Sequence, residues 1–303
     1  MTLVSIGDQI EEGVYPFHSR FRRAVNFQQN DRLVSVVDEG VGDGPLNIVL
    51  QGLQESAFEQ LLVGADRRAA RGSSTRRAQR SRPTSRMNCA APLEISEGKF
   101  VFEGRAYRFT QEDRYCSTLE AGAGLSPHFR HNLFLFGKLL QTSSHPKSLA
   151  FLLNDQRTDN FRSGFERTFA EQVRYGVSQI FFGDRLKGVR TLSGCGLGLT
   201  PSGDDFIAGL LIGLNLRGTG SRGLANQVFA AARSDNVYSD TFLDLARRGR
   251  LFGRMKNLIL ALGRESEDDV RKCTESLLAV GGTSGADLGT GFFLTLWNGF
   301  GAS

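Results

Sequence analysis

The sequence contains little cysteine and histidine, and their scarcity excludes several classes of protein. Four cysteines and four histidines occur in 303 residues, with no CxxC pair. A disulfide framework and a zinc finger are therefore not indicated, and the thiols are typical of a reducing cytosol. Residues 1–13 lack a basic start followed by an apolar core, and every apolar run is too short to span a bilayer. We therefore expect a cytoplasmic protein with no membrane partner.

Glycine and arginine are distributed unevenly along the chain. The 36 glycines amount to roughly 12% against a usual ~7%, and much of the excess lies in the C-terminal half. The net charge is +5, yet eight arginines and no acid fall within residues 67–86. The rest of the chain is mildly acidic, so the basic character belongs to one segment.

The arginine-rich segment, residues 67–86, has no apolar periodicity and is predicted to be a mobile loop or a frayed helix. It admits three interpretations: a solvated loop, a contact with another protein or subunit, or an arm that binds nucleic acid. Aromatic stacking partners are missing from the segment, and no nucleic-acid-binding motif occurs elsewhere. Nucleic acid is therefore the least favoured partner.

An α+β fold is predicted, with an antiparallel β-rich domain over residues 1–116 and a mainly α-helical domain over residues 117–303. Alternation and short glycine turns predict strands at 24–28, 32–38, 46–50, 93–95, 99–102 and 106–109. A small twisted sheet or a partly open barrel would accommodate them. Apolar spacing predicts helices at 129–140, 161–182, 206–216, 225–233, 239–248, 251–262, 267–280 and 287–297.

Two of the predicted helices are apolar nearly all round and contain glycine, which predicts that they are buried in the middle of a bundle. Both start alike: Ser202-Gly203-Asp204-Asp205 precedes one, and Ser284-Gly285-Ala286-Asp287 precedes the other. Each serine stands three residues before an aspartate, the spacing of a capping box with Asp in place of Glu. The glycine-rich loop 194–198 leads into the first copy.

The two helix starts are the predicted site, because a helix N-terminus presents free amides and a positive dipole end. If the helices are neighbours that run the same way, Asp205 and Asp287 line one pocket. A phosphate bound there would need Mg²⁺ or a basic side chain between it and the carboxylates, because like charges repel. A neutral amide or a carboxylate could instead be bound directly by hydroxyls and glycine amides. The cofactor is thus left open, with Mg²⁺ the one candidate, and no residue is assigned as a metal ligand. The structural alternative is two well-capped core helices.

The candidate residues fall into two groups by chemistry. The carboxylates Asp204, Asp205 and Asp287 are the candidate catalytic residues. The candidate substrate-binding residues supply hydroxyls or glycine amides: Gly196, Gly198, Thr200, Ser202, Gly203, Thr283, Ser284 and Gly285.

Other motifs carry less weight. The glycine loop lacks the GK[ST] of a Walker A motif and the spacing of a dinucleotide-binding fingerprint, and Ser202 lacks a GxSxG elbow. Cys195 would be electropositive within the loop, which could lower its pKa. His128 and His131 stand three apart near a helix start, but no carboxylate or cysteine follows at ligand spacing.

Residues 196–209 (GLGLTPSGDDFIAG) and 282–287 (GTSGAD) resemble a bacterial family that includes the H subunit of oxamate carbamoyltransferase, from anaerobic allantoin breakdown. The resemblance extends in layout to a β-rich first third with a Gly44-Pro45 turn. Two departures are Ala286, where family members often carry an aromatic residue, and the arginine-rich segment.

The resemblance implies a share in the reaction oxalurate + phosphate ⇌ oxamate + carbamoyl phosphate. The implied small-molecule ligands are carbamoyl phosphate, oxamate or oxalurate. The implied protein partners are an F subunit similar to acyl-CoA synthetase chains and a G subunit. A non-catalytic scaffold or a ligand-sensing subunit, whose motifs only cap helices, is the alternative.

Overall fold

The computed structural model describes residues 1–53, 91–120 and 126–298. Contacts within the chain form two compact units, Met1–Val41 with Leu46–Arg114 and Gly42–Pro45 with Tyr115–Ser303. The arginine-rich segment 67–86 lies outside the described residues, so its three interpretations stay predictions.

The first unit contains a six-stranded sheet and a four-stranded sheet, and the predicted α+β fold class is confirmed. The larger sheet has the order β10-β1-β6-β5-β4-β3. Its strands are β1 (Thr2–Gly7), β3 (Phe17–Phe21), β4 (Ala24–Gln29), β5 (Arg32–Asp38), β6 (Asn47–Gln51) and β10 (Arg114–Tyr115). The smaller, antiparallel sheet has the order β2-β7-β8-β9. Its strands are β2 (Gly13–Tyr15), β7 (Leu93–Ser96), β8 (Lys99–Phe102) and β9 (Arg105–Arg108).

The two sheets share one apolar core, a two-sheet arrangement that the expectation of a small twisted sheet or a partly open barrel did not specify. Phe27 on β4 meets Phe102 on β8 edge to face, with ring centroids 6.1 Å apart. Phe100 stacks on Tyr107 at 4.8 Å. The alternating side chains of both sheets are thereby buried against one another, as period-two patterning requires.

One strand pair departs from the antiparallel pattern, because β5 and β6 run parallel with Ser35 opposite Asn47. The chain leaves β5 at Asp38 and enters β6 opposite Ser35. The connection therefore runs back along β5 by only three residues, about 10 Å. The eight residues 39–46 cover that distance easily. A glycine-loaded turn between two strands does not by itself fix their relative direction.

The second unit is helical. Its α-helices are α1 (Phe129–Ser143), α2 (Gly164–Phe182), α3 (Arg185–Leu192), α4 (Ser202–Leu216), α5 (Arg222–Ala232), α6 (Val237–Arg247), α7 (Gly253–Leu262), α8 (Glu267–Leu278) and α9 (Ser284–Trp297). Shorter 3-10 helices lie at Leu149–Leu153, Asp155–Asn160 and Thr219–Ser221. In the described part of the chain, no helix has the length and apolarity that crossing a bilayer requires.

Every predicted helix is found, and α3 was not predicted. α2 begins at Gly164 rather than at residue 161, because Ser163 and Glu166 form a capping box there. The two apolar helices, α4 and α9, are buried along almost their whole length, as predicted.

Candidate functional site

Helices α4 and α9 lie against each other with their backbones in contact. A Cβ added to Gly209 would lie 2.0 Å from the carbonyl oxygen of Leu288, and one added to Gly291 would lie 2.1 Å from that of Phe206. Further along, a Cβ on Gly213 would meet the side chain of Thr295 on α9. The contacts advance along both helices together, so the helices run in the same direction and their N-termini are neighbours.

Each of these helices begins beneath the same kind of turn. A Cβ on Gly203 would lie 1.9 Å from the carbonyl oxygen of Leu192, and one on Gly285 would lie 1.9 Å from that of Leu277. These leucines stand in the last turn of α3 and of α8. The pair α3–α4 and the pair α8–α9 are therefore two copies of one helix–loop–helix unit.

The expected capping box does not form at either copy. The N-cap residues are Pro201 and Thr283, and neither makes a side-chain cap hydrogen bond. The serines one residue later lie inside their helices, so their hydroxyls are free to approach the neighbouring helix. The interpretation of Ser202 and Ser284 as caps is wrong.

The aspartate of each helix is instead approached by hydroxyls from both copies. Asp205 on α4 has the hydroxyls of Ser284, at the start of α9, and Thr200 beside it. The arrangement crosses the two helices, so each start contributes to the environment of the other's carboxyl group.

Asp287 on α9 mirrors this arrangement. The hydroxyls of Thr283 and of Ser202, at the start of α4, lie beside it. Its Oδ1 accepts a 2.6 Å hydrogen bond from the amide of Leu149. Each serine thus lies beside the carboxyl group of the other helix, Ser202 beside Asp287 and Ser284 beside Asp205.

Asp205 and Asp287 are enclosed by protein, with only 2% and 0% of their surface exposed. Burial raises the pKa of Asp205 to about 8, and the charge of Asp287 contributes. Burial likewise raises the pKa of Asp287 to about 7, although the Leu149 amide opposes the shift. Both carboxyl groups therefore bind a proton more tightly than an exposed aspartate does.

Asp204 has a different environment, in which both oxygens are bonded. Oδ1 accepts from the amide of Gly194 at 2.8 Å and Oδ2 from the hydroxyl of Ser239 on α6 at 2.6 Å. Burial raises its pKa, while these two donors lower it. Asp204 therefore ties the glycine loop and α6 to the start of α4.

The glycine loop follows a path that favours glycine. Gly194, Gly196 and Gly198 have φ of +69°, +120° and +116°, values that L side chains rarely adopt. The side-chain amide of Asn236 donates to the carbonyl oxygen of Leu199 at 2.7 Å and holds the loop near α6. Leu197, between two of the glycines, is 82% exposed.

The hydroxyl-bearing residues Thr200, Ser202, Thr283 and Ser284 are half-buried, above the enclosed carboxyl groups. Gly198 is exposed and Gly196 is half-buried, whereas Gly203 and Gly285 are buried under the preceding turns. The residues that carry hydroxyls, together with the glycine loop, are thus the more exposed part of this candidate site.

The remaining candidates, Cys195, His128 and His131, have surroundings that are typical of structural residues. Burial raises the pKa of Cys195, with Asp204 adding to the shift, so the expected lowering is wrong. His128 is the N-cap residue of α1, and His131 pairs with Glu267 at 2.8 Å. Within residues 1–53, 91–120 and 126–298, no group of three or more His, Cys, Asp or Glu side chains is placed to hold a metal.

Ser239 and the Leu149 amide, each of which donates to a candidate aspartate, were not predicted from the sequence. No local pattern marks either of them, because the contacts join residues 35 and 138 positions apart. The repeat of α3 in α8 was also missed, because Leu192 precedes Ser202 by ten residues whereas Leu277 precedes Ser284 by seven, so no fixed spacing marks it.

A comparison with protein families bears on the segment that carries both helix starts. Residues 192–296 match the family model described as oxamate carbamoyltransferase subunit AllH. The resemblance is confirmed over these residues. The match covers about a third of the chain, from the last residue of α3 almost to the end of α9, and includes both Ser-Gly-x-Asp motifs. No curated protein and no solved structure matches the chain.

Proposed function

We propose that the chain is a subunit of an enzyme that transfers a carbamoyl group between oxamate and phosphate, and that it binds a small anionic or amide ligand at the paired starts of α4 and α9. The observation that carries the proposal is the reciprocal placement of Ser284 beside Asp205 and of Ser202 beside Asp287. Both starts fall within the matched segment.

The chemistry of this transfer requires a place for phosphate, a clamp for a planar amide–carboxylate and donors for a developing oxyanion. Two adjacent helix N-termini supply a positive electrostatic potential, although the amides of Gly203 and Gly285 already donate to the carbonyl oxygens of Cys195 and Val280. The hydroxyls of Thr200, Ser202, Thr283 and Ser284 add adjustable donors, and the amides of Gly196 and Gly198 line the loop above.

In this proposal the three aspartates position the groups that contact the ligand. Asp205 and Asp287 are enclosed, so they orient the serine and threonine hydroxyls rather than touch the ligand. Asp204 fixes the glycine loop through Gly194. Each carboxyl group thus acts through a neighbour that reaches the surface.

Partner subunits complete the proposed enzyme, as the family description and the implied F and G subunits suggest. The test is therefore made on the assembled subunits, measuring carbamoyl phosphate formed from oxalurate and phosphate. Ser284→Ala is expected to lower kcat/KM about 100-fold, the scale of one lost oxyanion donor.

Ser163→Ala is the matched control, because Ser163 caps α2 outside the site. It should cost about 1 kcal/mol of stability and leave turnover unchanged. Equal turnover by wild type and Ser284→Ala, with wild-type assembly, would contradict the site.

The second candidate is a non-catalytic scaffold or ligand-sensing subunit, and the enclosure of Asp205 and Asp287 favours it. In that case Ser284→Ala destabilises the chain but leaves the turnover of the assembled enzyme unchanged. The same assay therefore separates the two candidates.

A further inference from the structure

The two copies of the helix–loop–helix unit present the same set of oxygen atoms to each other. The first copy contributes the carboxyl group of Asp205 and the hydroxyls of Thr200 and Ser202; the second contributes Asp287, Thr283 and Ser284. Together they bring two carboxyl groups and four hydroxyls to the adjoining starts of α4 and α9.

In the described part of the chain, one oxygen of each carboxyl group has no hydrogen-bond partner. Oδ2 of Asp205 and Oδ2 of Asp287 are buried and make no hydrogen bond. An unsatisfied polar atom in a protein interior is unfavourable, and an unpaired charge is more so. Two such atoms on neighbouring helices point to a missing positive group between them.

Residues 1–53, 91–120 and 126–298 do not supply that group. Among the residues that the structure describes, no lysine or arginine forms an ion pair with Asp205 or Asp287. The neighbouring side chains that affect their pKa values are hydroxyls and carboxyls. The helix N-termini carry only partial positive charge, less than two carboxylates require.

Hard divalent cations bind carboxylate and hydroxyl oxygens, and six oxygens match the octahedral preference of Mg²⁺ and Mn²⁺. We infer that Asp205 and Asp287, with the hydroxyls of Thr200, Ser202, Thr283 and Ser284, bind one hard divalent cation between the starts of α4 and α9. Each copy of the repeat then contributes one carboxylate and two hydroxyls. The inference does not require carbamoyl transfer, so either proposal can fail alone.

The test uses the full chain and Mn²⁺ alone, with no substrate and no partner subunit. Free Mn²⁺ is counted by electron paramagnetic resonance as the ion is titrated into the protein at pH 8. One ion per chain is expected, displaced by Mg²⁺. Asp205→Asn and Asp287→Asn should each weaken binding at least tenfold.

Asp240→Asn is the matched control, because Asp240 is also a first-turn aspartate, of α6, and accepts from the amide of Ser234. It should bind Mn²⁺ as the wild type does. Circular dichroism checks that each variant is folded.

If an Asn variant fails to fold, the wild-type titration still decides. No bound Mn²⁺ at millimolar concentration overturns the inference, because a shared proton then satisfies the two carboxyl groups. Binding that is unaffected in folded Asp205→Asn and Asp287→Asn overturns it as well.

Discussion

The close crossing of α4 and α9 makes a quantitative prediction for Gly209. Replacing it with alanine places a methyl group 2.0 Å from the carbonyl oxygen of Leu288 and 2.7 Å from the amide nitrogen of Phe292. Both are backbone atoms, so no side chain can rotate away. The helices must separate by about 1 Å, since Cβ atoms need roughly 3 Å or more.

Overpacking a core typically costs 1–3 kcal/mol of stability, occasionally more. The cost here should lie at the upper end of this range, because the clash is with backbone atoms. Alanine regains about 1 kcal/mol of helix propensity over glycine. Gly209→Ala should therefore lower the free energy of unfolding by about 2 kcal/mol or more. The same reasoning applies to Gly291→Ala, which meets the carbonyl oxygen of Phe206 at 2.1 Å.

The measurement is urea unfolding followed by the fluorescence of Trp297, the one tryptophan of the chain. It lies at the end of α9 and stacks on Phe293, so it reports on this helix. Gly223→Ala is the control, because an added Cβ meets nothing within 4 Å there. This control should be neutral or slightly stabilising.

Gly289→Ala gives an intermediate case, since the nearest atoms to its added Cβ belong to side chains, those of Phe136 and Leu140 at 3.1 Å and of Leu277 at 3.6 Å. We expect a smaller loss than for Gly209→Ala. If Gly209→Ala is as stable as Gly223→Ala, the helices are not in backbone contact and the shared site loses its basis.

Two further predictions concern other parts of the helical unit. Ser239→Ala removes the donor to Oδ2 of Asp204 and should cost about 1–3 kcal/mol in urea unfolding; a change under about 0.5 kcal/mol would show that Asp204 does not hold α6. The Lys147 ammonium, then the Ser163 amide, lowers the pKa of Glu166 to about 2, below its value in the unfolded chain. The ionised group therefore stabilises the fold above about pH 4.5, and this stabilisation is lost as the pH falls towards 2. Thermal unfolding of Glu166→Gln should show lower stability than wild type at pH 7 and a vanishing difference near pH 2, whereas a constant difference would contradict the assignment.

Local patterns were sufficient to predict most elements of the fold. Alternation located β4, β5 and β6 within a residue or two, and apolar spacing located α1, α4 and α9. The short helix α3 was missed, because its eight residues carry few apolar positions and a high proportion of charge. The parallel pairing of β5 with β6 was also missed, because strand direction depends on register rather than on turn composition.

The candidate site was predicted in its residues but not in its bonding. The repeated Ser-Gly-x-Asp string indicated two similar helix starts. Capping-box spacing then suggested that each serine serves its own helix, whereas Ser202 and Ser284 lie beside the aspartate of the other helix. Such an exchange depends on the crossing of α4 and α9, which no local pattern encodes.

The most direct test of one ligand site shared by the two helix starts is to add oxamate and follow the backbone amide signals of the chain by NMR. We expect the amides of Gly196, Gly198 and Ser202 to shift together with those of Ser284 and Gly285, along one saturation curve. Shifts confined to one of the two starts, or found only outside both, would contradict the shared site.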